Sequence, residues 1–364
     1  MDLLDDADAF FPALLDAIAN AEKSINLLFY IDSPGARVDQ VHDALIAAVK
    51  RGVTVRLLVD AVGSKPLLKN RQAMHALKSA GVQVSAALPV HFPRQLFARV
   101  DIRNHRKLVV IDSKIAFTGS MNLADPTVFK KSANVGRWVD IMARVRGPAV
   151  HALDLLFALD WCVEHDDENL HAARPKNPET PGGIPIQILS SGPGDDPDDL
   201  RRVLLQSIYA AREEIVISTP YFVPDDTLLT SLITASLRGV DVTIIVPDRV
   251  DSKLVAHASR SYYDDLIAAG VHIRHFTLGL LHAKTAVIDN RLTLIGSANL
   301  DRRSLWINFE LSLFAHDEST AAAMRKIQNR YIAASMPITI DTWGRRPLHW
   351  RLIDNAAQLL APIL

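Results

Sequence analysis

The sequence contains one pattern twice, as His105-Arg106-Lys107-Leu108-Val109-Val110-Ile111-Asp112 and again as His282-Ala283-Lys284-Thr285-Ala286-Val287-Ile288-Asp289. In both stretches His, Lys and Asp have the same spacing, and a mostly apolar run separates the Lys from the Asp. Each stretch is followed at the same distance by Gly-Ser-x-Asn, at residues 119–122 and 296–299. Two copies with matching downstream sequence are not explained by chance, so the chain is predicted to contain an internal repeat.

The repeat extends to the N-terminal side of each pattern, where further segments match in the same order. The matched pairs are residues 21–28 with 211–218, 51–55 with 238–242, and 80–84 with 269–273. Each of these segments predicts the end of a helix followed by a strand. The chain is therefore predicted to fold as two pseudo-symmetric halves.

Helical periodicity alternates with short β-branched runs along both halves. The helical segments are roughly residues 7–21, 40–51, 70–80, 198–212, 225–238 and 252–269, and the β-branched runs include Thr54–Val59 and Thr243–Val246. This alternation predicts an α/β fold, in which each half is a mixed, mainly parallel β-sheet flanked by helices.

Each repeated pattern also predicts a hairpin. Lys107–Ile111 and Lys284–Ile288 are predicted strands, and the dipeptides Ser113-Lys114 and Asn290-Arg291 are predicted turns that lead into a second strand. The hairpins are expected to place the two patterns at equivalent positions in the two halves.

Four regions are predicted from these patterns. They are an N-terminal domain at residues 1–172, a linker at 173–183, a C-terminal domain at 184–335, and a basic, amphipathic tail at 336–364. The linker is rich in Pro and Gly and lacks periodicity, which is typical of a connecting segment.

The first half carries an insertion, roughly Ala87–Asn104, beside its histidine. From Gly81 to His105 is 24 residues, whereas from Gly270 to His282 is 12. The inserted residues are both basic and apolar, which suits gating of a site or contact with lipid. Packing of the segment as a surface loop on its own domain is an equally good interpretation.

Composition limits the class of protein. The chain has 364 residues, 49% of them hydrophobic, a net charge of −1 and a single cysteine, Cys162. These values exclude a disordered, collagen-like or disulfide-stapled chain, and no global charge attracts nucleic acid or an anionic membrane. Cys162 is interpreted as a core residue, which favours the cytosol. An acidic N-terminus and the lack of a membrane-length apolar run predict a soluble or peripheral protein.

The repeated residues suit phosphoryl chemistry. A His and a Lys two positions apart on a strand point to the same face, so an imidazole lies beside an ammonium group. If the halves meet, two such pairs and two amides, from Asn122 and Asn299, can surround one phosphoryl group. One imidazole can then attack phosphorus while the other acts as acid and then base. Such a site needs no metal, and the histidines lack the partner spacing of a zinc site.

These residues resemble the phospholipase D superfamily, whose paired His-Lys-Asp motifs match both halves. The resemblance implies a phosphohistidine on one histidine, expected on His105, and an acid–base role for His282. It implies phosphate binding by the lysines, amides and serines of both motifs: Lys107, Lys284, Asn122, Asn299, Ser120 and Ser297. Asp140 and Glu310 are expected to orient the histidine of their own motif. The resemblance implies a catalytic set of His105, Lys107, Asp112, His282, Lys284 and Asp289. Within it, the two aspartates are expected to bond neighbouring backbone as supporting residues rather than to donate protons. The active site is expected at the domain interface.

Further segments resemble bacterial cardiolipin synthases, in a short form without N-terminal transmembrane helices. They are Thr219–Asp226, Ser259–Tyr263 and Gly296–Ser304. The tail from Arg345 could lie in a membrane interface or dock on the core. Two departures are Ser120, where many relatives have a second glycine, and Val139, where relatives often have arginine.

The reaction implied by the resemblance is transfer of a phosphatidyl group from phosphatidylglycerol to a second phosphatidylglycerol, with release of glycerol. A phospholipase D hydrolase, or a transferase that uses phosphatidylethanolamine, shares every catalytic residue. A nuclease and a non-catalytic lipid-binding scaffold are less favoured, and no nucleic acid partner, metal or other cofactor is expected. The protein is expected in the cytoplasm, peripheral on the inner face of the bacterial membrane. Candidate guides for acyl chains are Leu278, Leu280, Leu281, Phe92, Leu96 and Phe97.

Overall fold

The computed structural model describes residues 1–90, 101–129, 133–165, 183–192 and 198–359. Most of the predicted insertion, including Phe92, Leu96 and Phe97, and nearly all of the predicted linker lie outside the described residues. The described chain forms two large sheets of similar topology, one in each half, and two further sheets of two strands each.

The first half contains eight strands and five helices in the described ranges. In chain order they are β1 (Asp2–Leu4), α1 (Ala7–Ala19), β2 (Ser24–Phe29), α2 (Ala36–Lys50), β3 (Thr54–Asp60), α3 (Lys65–Leu68), α4 (Arg71–Ser79), β4 (Gln83–Ala87), β5 (Leu108–Ile111), β6 (Ile115–Gly119), β7 (Trp138–Val139), β8 (Met142–Arg146) and α5 (Ala149–Glu164). Seven of the strands form one sheet in the order β1-β8-β6-β5-β2-β3-β4.

The second half repeats this plan. Its described elements are β9 (Ile186–Ser191), α6 (Asp199–Ala210), β10 (Glu214–Ser218), β11 (Phe222–Val223), α7 (Asp226–Leu237), β12 (Asp241–Pro247), α8 (Lys253–Arg260), α9 (Tyr263–Ala268), β13 (His272–Phe276), β14 (Leu280–Leu281), β15 (Thr285–Ile288), β16 (Leu292–Gly296), β17 (Leu300–Asp301), α10 (Arg302–Trp306), β18 (Glu310–His316), α11 (Glu318–Ala333), β19 (Ser335–Ile338), α12 (Ile340–Gly344) and α13 (Leu348–Gln358). Eight strands form the sheet β19-β13-β12-β10-β15-β16-β18-β9.

The sheets are mixed, as predicted, but they are not mainly parallel. In each described sheet only the three strands linked by crossover helices run parallel, β2-β3-β4 and β10-β12-β13. The repeated patterns lie at hairpins, β5-β6 and β15-β16, which pair antiparallel and join the parallel strands antiparallel. A tight turn can only connect antiparallel strands, so the hairpins that carry the motifs shift the balance of the sheet.

The bounds of the predicted helices follow the structure with one exception, but α5 and α11, of 16 residues each, were not predicted. The segment 252–269 forms two helices, α8 and α9, with a break at Ser261 and Tyr262. Side-chain caps start several helices, as where Asp225 accepts a hydrogen bond from the Leu228 N–H at 2.7 Å. Among the helices in the described ranges, none is long and apolar enough to cross a membrane.

The predicted C-terminal boundary falls inside an element. β19 (Ser335–Ile338) pairs antiparallel with β13, so the second sheet continues past residue 335. Beyond it, Trp343 and Ala357 are buried in the core of the second half. The tail is therefore docked on the second half at these positions.

The inner faces of the two sheets share one apolar core. The shared cluster contains residues from both hairpins and their neighbouring strands, among them Leu108, Val110, Val145, Val216, Val287, Ile295 and Leu313. The outer face of each sheet packs against its own helices in a separate cluster. Burial of the shared apolar surface holds the two hairpins at a fixed relative position, and with them the histidines that precede them.

Candidate active site

Each motif histidine lies in extended chain just before a hairpin. His105 and Lys107 precede β5, and His282 and Lys284 precede β15, so each strand begins one residue after the motif lysine. Both lysines and His282 are buried, whereas His105 is half-buried.

The segment that carries each histidine pairs with the other half. The His105 N–H donates to the Phe309 carbonyl at 2.8 Å, and the Phe309 N–H donates to the Arg103 carbonyl at 3.0 Å. In the other half, β14 pairs in parallel with β7, and the His282 N–H donates to the Val139 carbonyl at 2.7 Å. Backbone hydrogen bonds across the interface thus fix both histidine segments.

A close approach at Gly279 permits this pairing. A Cβ placed there would lie 2.2 Å from the Arg137 carbonyl oxygen, and the residue has a φ of +134°. Only glycine fits a position with both features, since a side chain would collide with backbone and strain its own.

Because of this pairing, each acidic residue lies beside the histidine of the opposite half. Nδ1 of His282 lies 2.7 Å from Oδ1 of Asp140, and Nδ1 of His105 lies 3.2 Å from Oε1 of Glu310. Each acid therefore faces the histidine of the opposite half, and the expectation that it serves its own motif is wrong. The reason is that Asp140 follows β7, which pairs with β14, just ahead of His282.

The motif serines position these acids. Ser120 Oγ donates to Asp140 at 2.7 Å and accepts from the Ile141 N–H at 3.0 Å. Ser297 Oγ donates to Glu310 and accepts from the Leu311 N–H at 2.9 Å. Both hydroxyls are buried and engaged, which corrects the expectation that Ser120 and Ser297 bind phosphate. Each half therefore supplies a Ser–acid pair to the other half's histidine.

The lysines lie against their own histidines. Lys284 Nζ donates to His282 Nε2 at 2.8 Å and to the His282 carbonyl at 2.7 Å, and Lys107 Nζ donates to the His105 carbonyl. With Asp140 at Nδ1, the geometry assigns the Nδ1–H tautomer to His282 and leaves Nε2 as its lone-pair nitrogen.

Burial of these charges shifts their pKa values. Burial lowers the pKa of Lys284 to about 7, against the opposing pull of Asp140. Burial, with help from Lys284, lowers the pKa of His282 to about 4. Burial also lowers the pKa of Lys107, although Glu310 and Asp140 act in the other direction. In the free protein, the acids near Lys107 and Lys284 therefore do not fully offset the cost of burying the two ammonium groups. An anionic ligand would supply the missing negative charge.

The two amides differ in their contacts. Asn122 Oδ1 accepts from the Ile31 N–H at 3.2 Å, so its NH₂ group is the end left for a ligand. Asn299 Nδ2 lies 3.3 Å from Ser304 Oγ, and its buried Oδ1 has no hydrogen-bond partner among the described residues. A buried amide oxygen without a partner is unfavourable unless a ligand completes it.

The motif aspartates lie at the far end of the hairpins. Asp112 accepts hydrogen bonds from the backbone N–H groups of residues 22–24 at 2.7–2.9 Å. Asp289 does the same with the N–H groups of residues 212–214 at 2.8–3.2 Å. Both are supporting residues, in agreement with the sequence interpretation, and neither contacts the histidines.

Two aromatic residues that the motif analysis missed lie on the histidines. The Tyr30 ring centroid is 4.1 Å from that of His105, and the Trp138 ring centroid is 4.7 Å from that of His282. Tyr30 directly follows β2 and Trp138 lies in β7. No motif marks either residue, because only the pairing of the halves brings them to the imidazoles.

Two arginines, each facing a buried carboxylate, flank His105, whereas the corresponding positions around His282 are uncharged. Arg106 forms a buried ion pair with Asp160, and its Nε donates to the Glu310 carbonyl at 3.1 Å. Arg103 lies 3.4 Å from Asp60, a buried carboxylate at the end of β3. At the corresponding positions around His282 the sequence has leucine and alanine, and both leucines of β14 are buried. Leu280 and Leu281 are therefore core residues, whereas Leu278 is exposed.

A cavity of about 230 Å³ opens beside His105. Its lining residues include Tyr221, Asp251, Asn299, Asp301 and Asn308, but the surface that they and Val223 and Val255 expose to the cavity is mostly apolar. Tyr221 donates to Asp251 at 2.5 Å. The cavity can take a small polar group next to the imidazole. In the described ranges, no three His, Cys, Asp or Glu side chains are grouped so as to hold a metal ion.

Comparison with known proteins gives the family. A family model described as "Cardiolipin synthase, PLD-like domain" matches residues 14–140 and 204–332, one match in each half. Cardiolipin synthase A of Yersinia pseudotuberculosis serotype O:1b (strain IP 31758) is 42% identical over 367 residues, covering 100% of this chain and 75% of the relative. Cardiolipin synthase A of Yersinia pestis bv. Antiqua (strain Angola) matches with the same identity and coverage.

Solved structures share the fold at low sequence identity. Phosphatidylserine synthase of Haemophilus influenzae Rd KW20 superposes with a TM-score of 0.73 at 17% identity, over 100% of this chain and 95% of the other. Polyphosphate kinase of Porphyromonas gingivalis superposes with a TM-score of 0.57 at 14% identity, over 88% of this chain and 48% of the other. The paired-domain arrangement is therefore found in other solved enzymes.

Proposed function

The chain belongs to the cardiolipin synthase family with phospholipase D-like domains, and we propose that it joins two phosphatidylglycerol molecules into cardiolipin, with release of glycerol. The observation that carries this proposal is the crossed arrangement of the histidines. Each of His105 and His282 is faced by an acid of the opposite half. The charge of Lys107 lowers the pKa of both His282 and Lys284, which places the two motifs in one centre. This arrangement suits transfer through a covalent phosphohistidine.

His105 is the proposed nucleophile. It borders the cavity, Glu310 faces its Nδ1, and no described side chain is bonded to its Nε2. The Nε2 lone pair attacks phosphorus, so that the P–N bond forms as the P–O bond to glycerol breaks. The lysines, the NH₂ group of Asn122 and the Nδ2 proton of Asn299 that does not point to Ser304 are the proposed donors to the phosphoryl oxygens, where negative charge develops. The unpartnered Oδ1 of Asn299 is an acceptor and is left for a hydroxyl group.

His282 is the proposed acid and base. In the free protein its low pKa keeps the imidazole neutral, with Lys284 bonded to Nε2. An anionic phosphodiester beside both groups raises their pKa values and draws the ammonium towards itself, so that His282 can take up a proton. The imidazolium then protonates the departing glycerol oxygen. In the second step, His282 removes the proton from the hydroxyl of the second lipid as the P–O bond forms and the P–N bond breaks.

The cavity supports phosphatidylglycerol as the donor lipid. Asp251 and Asp301 border the cavity, where Asp251 accepts from Tyr221 and Asp301 accepts from the Ser304 N–H at 2.7 Å. We propose that their remaining oxygens accept hydrogen bonds from the hydroxyl groups of a glycerol headgroup. Exchange of one phosphodiester for another is nearly isoenergetic, so transfer depends on keeping water from the phosphohistidine. Tyr30 and Trp138 cover the faces of the two imidazoles and contribute to that exclusion.

The domain arrangement and location are part of the proposal. The first domain ends near residue 172, and the second begins near 184, just before β9 joins the second sheet. Because the proposed substrates are bilayer lipids, the chain is proposed to work as a peripheral protein on the inner face of the bacterial cell membrane.

The test is to identify the lipid products by mass spectrometry. Purified protein is incubated with phosphatidylglycerol alone, and then with added phosphatidylethanolamine, in the presence of EDTA. The expected products are cardiolipin and glycerol, both lost in His105→Ala and His282→Ala, while Lys114→Ala on the hairpin surface retains activity. Phosphatidic acid as the only product would identify a hydrolase instead, and transfer to ethanolamine lipid alone would overturn the proposed acceptor.

A further inference from the structure

The last helix of the described chain, α13, buries a carboxylate and leaves its leucines exposed. Asp354 is 3% exposed and Ala357 is 5% exposed. Leu348, Leu352 and Leu359 are 70%, 62% and 81% exposed. An amphipathic helix docked on a soluble core has the opposite arrangement, with its leucines inside.

A buried charge cluster fixes the helix in this orientation. Asp354 lies 2.8 Å from His257 Nδ1 and accepts from Arg346 at 2.7 Å. The Arg346 guanidinium lies 3.2 Å from the ring centroid of Trp343, and the Trp350 ring stacks on His257 with centroids 5.5 Å apart. Turning the leucines inward would bury them, but would expose Asp354 and break these contacts. The outward position of the leucines is therefore built into the fold.

The exposed leucines are part of a larger apolar surface. Large apolar side chains around them are also exposed: Ile340, Trp350 and Ile353. Several large apolar side chains exposed within one short stretch of a soluble protein mark a surface that contacts another phase or molecule. Arg345 and Arg351 are exposed in the same stretch, and Arg351 also lies 3.9 Å from Asp264.

This surface adjoins the wall of the active-site cavity. α13 packs against α8, and α8 with the residue before it contributes Ser252 and Val255 to the cavity beside His105. Leu254, between them in the sequence, is exposed. A bilayer that contacts α13 would therefore lie next to the element that lines the cavity.

We propose that the outward face of α13, with Arg345 and Arg351 at its border, is a docking surface for a bilayer that contains anionic phospholipid. The leucines and Trp350 enter the interface, and the arginines pair with lipid phosphates. Continuity with the cavity favours a lipid surface over a protein partner, because a lipid substrate must leave the bilayer close to the reactive histidine. The choice of a lipid surface as the occupant rests on the function proposed above, whereas the exposure of the leucines does not.

Vesicle flotation tests the docking surface. The full chain is mixed with vesicles of phosphatidylglycerol and phosphatidylcholine, and the variant Leu348→Glu/Leu352→Glu is compared with wild type. The expected result is at least a tenfold loss of partitioning with an unchanged melting temperature, since both side chains are mostly exposed. Leu237→Glu, at an apolar residue that is 72% exposed on α7, is the matched control and should bind as wild type does.

Activity with two forms of substrate separates this proposal from the proposed function. With long-chain phosphatidylglycerol in vesicles, the double variant should lose at least tenfold in rate. With short-chain phosphatidylglycerol below its micellar concentration, it should match wild type. If wild type turns over neither vesicular nor short-chain phosphatidylglycerol, the proposed function is refuted. The flotation experiment still tests the docking surface in that case. Equal flotation of variant and wild type would overturn the docking surface. Sedimentation would then show whether the wild type forms a dimer that the variant abolishes, which would make this face a protein interface instead.

Discussion

At the residue scale, Lys284 illustrates how burial prepares a group for a charged ligand. Its ammonium group is removed from water, bonded to His282, and only partly compensated by Asp140. Desolvation therefore dominates, and the pKa of Lys284 falls to about 7. A phosphodiester that enters the site supplies the missing negative charge and restores the charged form.

This arrangement predicts a pH dependence. Free protein loses the Lys284 ammonium as pH rises through about 7, so kcat/KM for phosphatidylglycerol should fall at alkaline pH, by up to about tenfold per unit. The fall in kcat at saturating substrate should come at higher pH, because bound phosphate raises the pKa of Lys284. Rate profiles from pH 6 to 9 measure both. A kcat/KM that stays constant to pH 9 would contradict this assignment, and in Lys284→Arg the alkaline fall should move to higher pH, since arginine keeps its charge.

At the element scale, the hairpins connect the motif to the fold. Asp112 and Ser113 have positive φ values of 54° and 53°, and Asp289 and Asn290 have values of 51° and 50°. Two successive residues with positive φ form the turn that matches the twist of paired strands. The aspartate of each motif thus both forms the turn and accepts the backbone N–H groups that begin the neighbouring strand, β2 or β10.

Removal of the Asp112 carboxylate should reduce stability with little effect on the chemistry. Asp112→Ala leaves three backbone N–H groups without their acceptor, so the free energy of unfolding should fall by about 1–3 kcal/mol. Burial alone would raise the pKa of Asp112, but the three N–H groups and Lys114 outweigh it, and the net pKa is lowered. The stabilisation by this carboxylate is therefore present near neutral pH and is lost as the pH falls through the lowered pKa.

Denaturant unfolding of Asp112→Ala, combined with kcat measured on the folded protein at 15 °C, distinguishes a structural from a catalytic role. Lys114→Ala is the matched control, since its side chain is 66% exposed and should change stability by less than about 0.5 kcal/mol. Loss of kcat with unchanged stability would show instead that Asp112 takes part in proton transfer.

The elements were largely predictable from local patterns. Periodicity located most of the helices but missed α5 and α11, and β-branched runs with turn residues located β5-β6 and β15-β16. The direction of the added strands was not predictable in the same way. The mainly parallel sheet was predicted from the alternation of helices and strands. The hairpins were also predicted, but the antiparallel pairs that they add to each sheet were not taken into account.

At the scale of the whole molecule, neither half completes its own site. The shared core of the two sheets sets the distance between the hairpins, and the backbone pairings on both sides exchange the acids. Sequence identified His105, His282, Asp140 and Glu310, but it could not pair them. Residues 140 and 282 are 142 positions apart, and their contact depends on how the halves dock, which no local spacing records.

The exchange also explains why some contacts were missed. Ser120 and Ser297 are adjacent to the phosphate-binding region in sequence, but their hydroxyls face the acids once the halves have paired. Tyr30 and Trp138 contact imidazoles without belonging to a motif. Tertiary contacts across an interface are the part of a site that a single sequence specifies least directly.

The exchange of acids between the halves is tested most directly by the ring nitrogens of the histidines. Long-range ¹H–¹⁵N spectra of the full chain, labelled in histidine, would be assigned with His105→Gln and His282→Gln. Asp140→Asn should shift the Nδ1 and Nε2 signals of His282, because Nδ1 loses its carboxylate, and should leave those of His105 unchanged. Glu310→Gln should do the reverse. Shifts of His105 in Asp140→Asn, with His282 unaffected, would contradict the shared site.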